Sequence, residues 1–122
     1  MTDDWGPIEL DPILMPKVWG GHRLAETPAF ADLLAAGEAS AASGPIGEAW
    51  VVADLPEDVT GGRSRIRRGP GAGGTLHELI RRHPEAVLGR AEPAEDGGFP
   101  LLVKWLDAAE DLSVQVHPTA SY

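Results

Sequence analysis

Phe99-Pro-Leu-Leu-Val-Lys-Trp-Leu106, then Asp107–Asp111, then Leu112-Ser-Val-Gln-Val-His117, is the stretch whose reading decides the fold class. The first segment is an apolar run of strand length and predicts a strand buried on both faces. The second alternates strictly, with Leu112, Val114 and Val116 on one side of an extended chain and Ser113, Gln115 and His117 on the other. Two such runs around a short polar connection predict an antiparallel hairpin. Its apolar side would need cover from other strands or from helices near Leu33 and Leu79, because an open row of branched apolar residues invites aggregation.

Upstream, Gly47-Glu-Ala-Trp-Val-Val-Ala53 reads as another strand, and Arg63–Arg68 as a weaker one. Ile8–Leu10 and Pro12–Leu14 are short extended pieces punctuated by Pro7, Pro12 and Pro16, so they read as edge or irregular segments rather than central strands. Val18-Trp-Gly-Gly21 follows. Thr27 to Ala36 predicts a helix, with Thr27 as cap, Pro28 at the first position, Phe30, Leu33 and Leu34 on one side and Gly37 at its end. Residues 37–45 read as a loop of small residues. Thr75 and Glu78 form a capping box ahead of Leu76, Leu79 and Ile80, predicting a second helix. His83-Pro84 interrupts it, Glu85–Leu88 adds a turn ending at Gly89, and residues 90–98 form an acidic loop. The class that results is mainly β with short helices.

A length of 122 residues suits one small domain. Ten Lys and Arg against nineteen Asp and Glu give a net charge of −9, which argues against non-specific binding to nucleic acid or to an anionic membrane. Hydrophobic residues at 43% and charged residues at 24% are globular values and argue against wholesale disorder. With no cysteine there is no disulfide, thiolate metal site or cysteine nucleophile. No apolar run has membrane-spanning length, and the acidic start Met1-Thr-Asp-Asp-Trp5 is unlike a basic targeting segment, so the expected location is the cytoplasm.

Few positions suggest chemistry. Gln115 and His117, at i and i+2 on a strand, would lie about 7 Å apart on one face. An amide oxygen and an imidazole nitrogen at that spacing can converge on a divalent ion, though a catalytic zinc normally takes three protein ligands. The same residues also read as the polar face of a half-buried strand. Lys104 interrupts the apolar run; it either pairs with or faces an anion, or it snorkels to the sheet edge. Gly69–Gly74 precedes a helix but matches no phosphate-loop motif, and reads as a flexible loop. Arg63, Arg65, Arg67 and Arg68 read as charged guards of an edge strand rather than as an anion site. His22, His77 and His83 read as surface or turn residues.

These segments resemble the type I mannose-6-phosphate isomerase (phosphomannose isomerase) family. Phe99-Pro-Leu-Leu-Val-Lys-Trp-Leu-Asp-Ala108 and Asp111-Leu-Ser-Val-Gln-Val-His-Pro118 are similar to its metal-site segment. Three more pieces match in order: Pro12-Ile-Leu with Lys17-Val-Trp-Gly-Gly21, Pro45-Ile-Gly-Glu-Ala-Trp50, and Gly69-Pro with Thr75-Leu-His-Glu-Leu-Ile80. The resemblance implies a cupin-type jelly-roll β-barrel enzyme of mannose metabolism. Such an enzyme binds one zinc ion and interconverts mannose 6-phosphate and fructose 6-phosphate.

By that resemblance Gln115 and His117 are two zinc ligands. Lys104 and Ser113 line the pocket for the hexose 6-phosphate. A glutamate and a histidine that complete the zinc site, and the proton-transfer residues, are expected downstream of Tyr122. Residues 1–122 are then the N-terminal part of a single catalytic domain with a partial barrel, inactive alone and expected to be a monomer. Ala49 replaces the family's usual serine, and Val51 the acidic residue that often follows the tryptophan. The alternative reading is a small non-catalytic cupin-like module that binds a sugar or a metal. The downstream reading frame separates the two.

Overall fold

The computed structural model describes residues 5–35, 44–56 and 62–119. In chain order the elements are β1 (Glu9–Leu10), β2 (Ile13–Gly21), α1 (Arg23–Glu26), α2 (Pro28–Ala35), β3 (Ile46–Val52), β4 (Ile66–Arg68), α3 (Leu76–Arg82), α4 (Pro84–Leu88) and β5 (Val103–Leu106). They form two open antiparallel sheets, one pairing β1 with β4, the other ordered β2-β3-β5. The class is as expected, mainly β with short helices. Among the described residues no barrel closes, and no helix is long and apolar enough to cross a membrane.

β2 is longer than its prolines suggest. It accommodates Pro16 because it is an edge strand and because its register against β3 shifts on both sides of that residue, where a ladder donor is not required. The close approach of β2 to β3 depends on Gly20: a Cβ there would lie 2.5 Å from the Gly47 backbone nitrogen. Leu24, Phe30, Ile46 and Ala49 form a core cluster, with Leu14 and Val51 against it. α1 is seated by Asp107, whose Oδ2 accepts the Arg23 backbone N–H at 2.7 Å. The helix predicted over 27–36 forms as α2, with Pro28 at its first position, and the short α1 before it, which ends at Thr27, was not predicted. Gly37, the rest of the 37–43 segment, Met1–Asp4 and the side chains of Leu33 and Leu34 lie outside the described residues.

Around β4, Ile66, Leu76, Leu79 and Ile80 are buried. The turn before α3 is ordered rather than flexible. The amides of Ala72, Gly73 and Gly74 donate to the carbonyls of Gly69, Ile66 and Gly71, so they are spent within the turn and do not cradle a phosphate. Gly69, Gly71 and Gly73 all take positive φ there. The arginines are engaged as well: Arg67 and Arg68 with Glu9 and Asp11, Arg65 with the Gly73 carbonyl, and Arg63 with Asp54 and Asp96.

The capping box of α3 forms as read, with Thr75 Oγ1 accepting the Glu78 N–H at 3.2 Å and Glu78 Oε2 accepting the Thr75 N–H at 2.9 Å. Thr75→Ala is expected to lower the unfolding free energy by about 1 kcal/mol in a denaturant titration, because it leaves an orphan donor at the helix start. No change in midpoint would show that the box adds nothing.

The hairpin expectation is overturned. β5 covers only Val103–Leu106 and pairs with β3, matching Trp50 to Lys104 and Glu48 to Leu106. Residues 112–117 carry neither strand nor helix, and Val114 and Val116 are 98% and 90% exposed. The Phe99–Leu106 run is not buried on both faces either, since every residue of β5 is exposed. β3 offers β5 four paired positions, with one register shift, in a sheet whose central strand contacts α1, whereas pairing with 112–117 would add a two-stranded ribbon with no core beneath it. The apolar side of 112–117 finds no cover among the described residues.

Candidate functional site

Alternation along β3 puts Glu48 and Trp50 on one face of the central strand. Across the ladders Met15 sits opposite Glu48, and Lys104 opposite Trp50. The Trp50 indole Nε1–H donates to Glu48 Oε2 at 2.7 Å, and the Lys104 ammonium donates to Glu48 Oε1 at 3.2 Å. Glu48 and Trp50 are buried, while the Lys104 side chain is 33% exposed.

Burial pushes the Glu48 carboxyl upward. The hydrogen bonds from Trp50 and Lys104, with the charges of Lys104 and Lys17, outweigh it and hold the group below its usual range. Glu48 is therefore a fixed anion. An ammonium carries three N–H donors, and the Glu48 bond uses one. Lys104 is the cation bonded to this carboxylate, and Lys17 acts on it through its charge alone.

Lys104 is thus paired with a buried anion, one of the alternatives its sequence context left open. Its partner Glu48 was not singled out from the sequence. The signal was there: Gly47-Glu-Ala-Trp50 spaces an acceptor and an indole donor two residues apart on a strand. Ser113, Gln115 and His117 all lie exposed in the segment without strand pairing. Gln115 and His117 offer an amide oxygen and an imidazole nitrogen, donor types that suit zinc. By chemistry they fit as two members of a larger set. Among the described residues no group of three or more His, Cys, Asp and Glu could hold a metal ion, so the set is not completed there.

Of the other histidines, His83 sits between α3 and α4 with its ring edge-on to Trp5 at 5.0 Å, a turn role as expected. His77 departs from expectation. It is buried, with Nδ1 3.0 Å from Asp54 Oδ1. A cleft of about 420 Å³ lies beside that aspartate, lined among others by Asp54, Glu95, Asp96, Phe99, Leu101 and Leu102. Its carboxylates oppose an anionic ligand, which leaves the Glu48–Lys104 face as the better candidate.

Comparison with known proteins follows the same line. A model of the phosphomannose isomerase type I catalytic domain matches residues 8–122. The chain is 38% identical over 117 residues to the probable mannose-6-phosphate isomerase GmuF of Bacillus subtilis, covering 95% of this chain and 31% of that protein. It is 35% identical over 116 residues to the mannose-6-phosphate isomerase ManA of the same organism, with the same coverage of 95% and 31%. A crystal structure of the Bacillus subtilis mannose 6-phosphate isomerase superposes with a TM-score of 0.61 at 35% identity, over 84% of this chain and 27% of that one. The chain therefore spans about a third of the length of the curated relatives it matches.

Proposed function

The chain belongs to the type I phosphomannose isomerase family, and from that premise we propose that it supplies part of a zinc-dependent site interconverting mannose 6-phosphate and fructose 6-phosphate. The observation that carries this reading is the match of the catalytic-domain model across residues 8–122, a range holding Glu48, Lys104, Ser113, Gln115 and His117. In this reading the 122 residues are the N-terminal part of one cupin-type catalytic domain, as the order of the matching segments suggests.

Aldose–ketose isomerisation moves a proton between two adjacent carbons, and the C–H is acidic enough only when the neighbouring carbonyl is polarised. A bound zinc supplies that polarisation as a Lewis acid. Gln115 and His117 would hold it from this chain, with further donors from outside residues 1–122. Lys104, oriented by Glu48, binds the phosphate through its free N–H donors, and Ser113 offers a hydroxyl to the same substrate. Holding the phosphate fixes the sugar relative to the groups that move the proton.

Two proteins test the proposal: the chain alone, and a chimera joining it to the part of ManA that follows the aligned region. The chain alone is expected to bind zinc weakly and show no turnover of mannose 6-phosphate above a no-protein control. The chimera is expected to bind one zinc and turn over. His117→Ala in the chimera should abolish both while leaving the denaturation midpoint nearly unchanged, since His117 is exposed. Full zinc content and activity in that variant would remove the metal assignment. Zinc or sugar binding by the chain alone, with an inactive chimera, would favour the non-catalytic module.

A further inference from the structure

The Asp54 carboxylate is fully buried, at 0% exposure, and ties together segments far apart in the chain. Its Oδ2 accepts the Phe99 backbone N–H at 2.8 Å. His77 Nδ1 of α3 lies 3.0 and 3.1 Å from its two oxygens, and beside a carboxylate that nitrogen acts as donor. Arg63 Nε is 3.8 Å from Oδ1, and the same guanidinium reaches Asp96 at 3.6 Å. Asp96 in turn accepts the Gly98 N–H at 3.0 Å. The Ala94–Gly98 turn closes on itself through the Ala94 N–H to Gly98 carbonyl bond at 2.9 Å and the Gly97 N–H to Ala94 carbonyl bond at 2.8 Å. A Cβ on Gly98 would run into the Asp54 carboxylate.

Burying a carboxylate is costly unless several donors meet it, and for stability alone an apolar side chain of similar volume would often serve as well. What the carboxylate adds is a fixed geometry between its donors. That geometry matters for β5, which begins only four residues after Phe99. β5 is exposed at every residue, Trp105 at 62%, so little apolar burial holds it in place. Its C-terminal end is held by the Asp107 N–H to Gly47 carbonyl bond and by the Gly20–Ala108 bridge. Among the described residues, the tie outside the ladder nearest its N-terminal end is the Phe99–Asp54 bond.

We propose that Asp54 is a positioning residue: supported by His77 and Arg63, it anchors the turn before β5 and so delivers Lys104 to Glu48. The catalytic meaning of this rests on the reading of Lys104 as the phosphate-binding cation. The test uses no turnover, so the two can fail separately.

The experiment compares the 15N-labelled chain with Asp54→Asn, which keeps the size but loses the charge and one acceptor. Backbone amide exchange and the Lys104 15Nζ resonance are the readouts. The amides of Phe99 and β5 are expected to exchange at least about tenfold faster in the variant, with the Lys104 resonance moving to the position of a free lysine, while amides joining β2 and β3 keep their protection. Unchanged β5 exchange and an unchanged Lys104 resonance would overturn the proposal. So would an equal loss of protection through both sheets, which marks a general stability role. Should Asp54→Asn not fold, His77→Gln and His77→Phe carry the same test, one keeping an N–H donor and the other filling the space without one. β5 protection is expected to survive in the first and fall in the second, and equal protection in the two would overturn the proposal.

Discussion

Gly20→Ala is expected to lower the unfolding free energy by about 3 kcal/mol, a large share of the 5–15 kcal/mol that holds a typical domain. The added methyl would sit 2.5 Å from the Gly47 nitrogen, 2.6 Å from the Ile46 carbonyl carbon and 2.8 Å from the Gly47 Cα. All three are backbone atoms of the central strand, so no side-chain rotation relieves the contact. β2 must move away from β3, and the Gly20–Ala108 bridge on the other side moves with it. Gly44→Ala is the matched control, because a Cβ at Gly44 meets nothing within 4 Å. Urea unfolding of both variants decides the matter: equal midpoints would mean that the β2–β3 approach is not limited by Gly20.

Glu48→Ala is expected to cost about 2–3 kcal/mol, because it strands the buried Trp50 indole N–H and removes the partner of the Lys104 ammonium. The partial exposure of Lys104 keeps the figure below that of a fully buried pair, since water can solvate the freed ammonium. Glu48→Gln, which retains one acceptor oxygen, should cost less. The wild type should also show an acid dependence that the glutamine variant lacks. Folding depresses the Glu48 pKa below its ordinary value of 4.5, so the stabilisation from this carboxylate is complete above that value. It is lost as the pH falls through the lower folded-state pKa. The stability gap between wild type and Glu48→Gln should therefore be widest near neutral pH and shrink under acid. A gap independent of pH down to about 3 would show that the charge on Glu48 does not contribute.

Features governed by near neighbours were readable before the fold was known. The capping box at Thr75 and Glu78, the break at His83-Pro84, the end of α4 at Gly89 and the strand through Gly47–Val52 all depend on contacts within a few residues. The prolines marked Pro12–Leu14 as edge or irregular rather than central, and β2, which begins at Ile13, is an edge strand. The family could be read from five segments in order, and the catalytic-domain match supports it. The site was legible in part. Lys104 stood out because a charge within an apolar run needs an explanation, and Glu48 is that explanation.

What the sequence alone determined, then, is the overall class, the segments whose ends are set by near neighbours, and the family. Tertiary structure decided who pairs with whom. Strict alternation in Leu112–His117 specifies two faces but no neighbour, and β5 found its partner in β3, more than fifty residues away in the chain. His77 shows the same limit, for nothing near it in sequence signals that Asp54 will meet it in the interior. A side chain's face follows from the local period of the backbone. Its burial and its partner depend on which distant surface closes over it, and that is settled only when the whole chain competes for the same core.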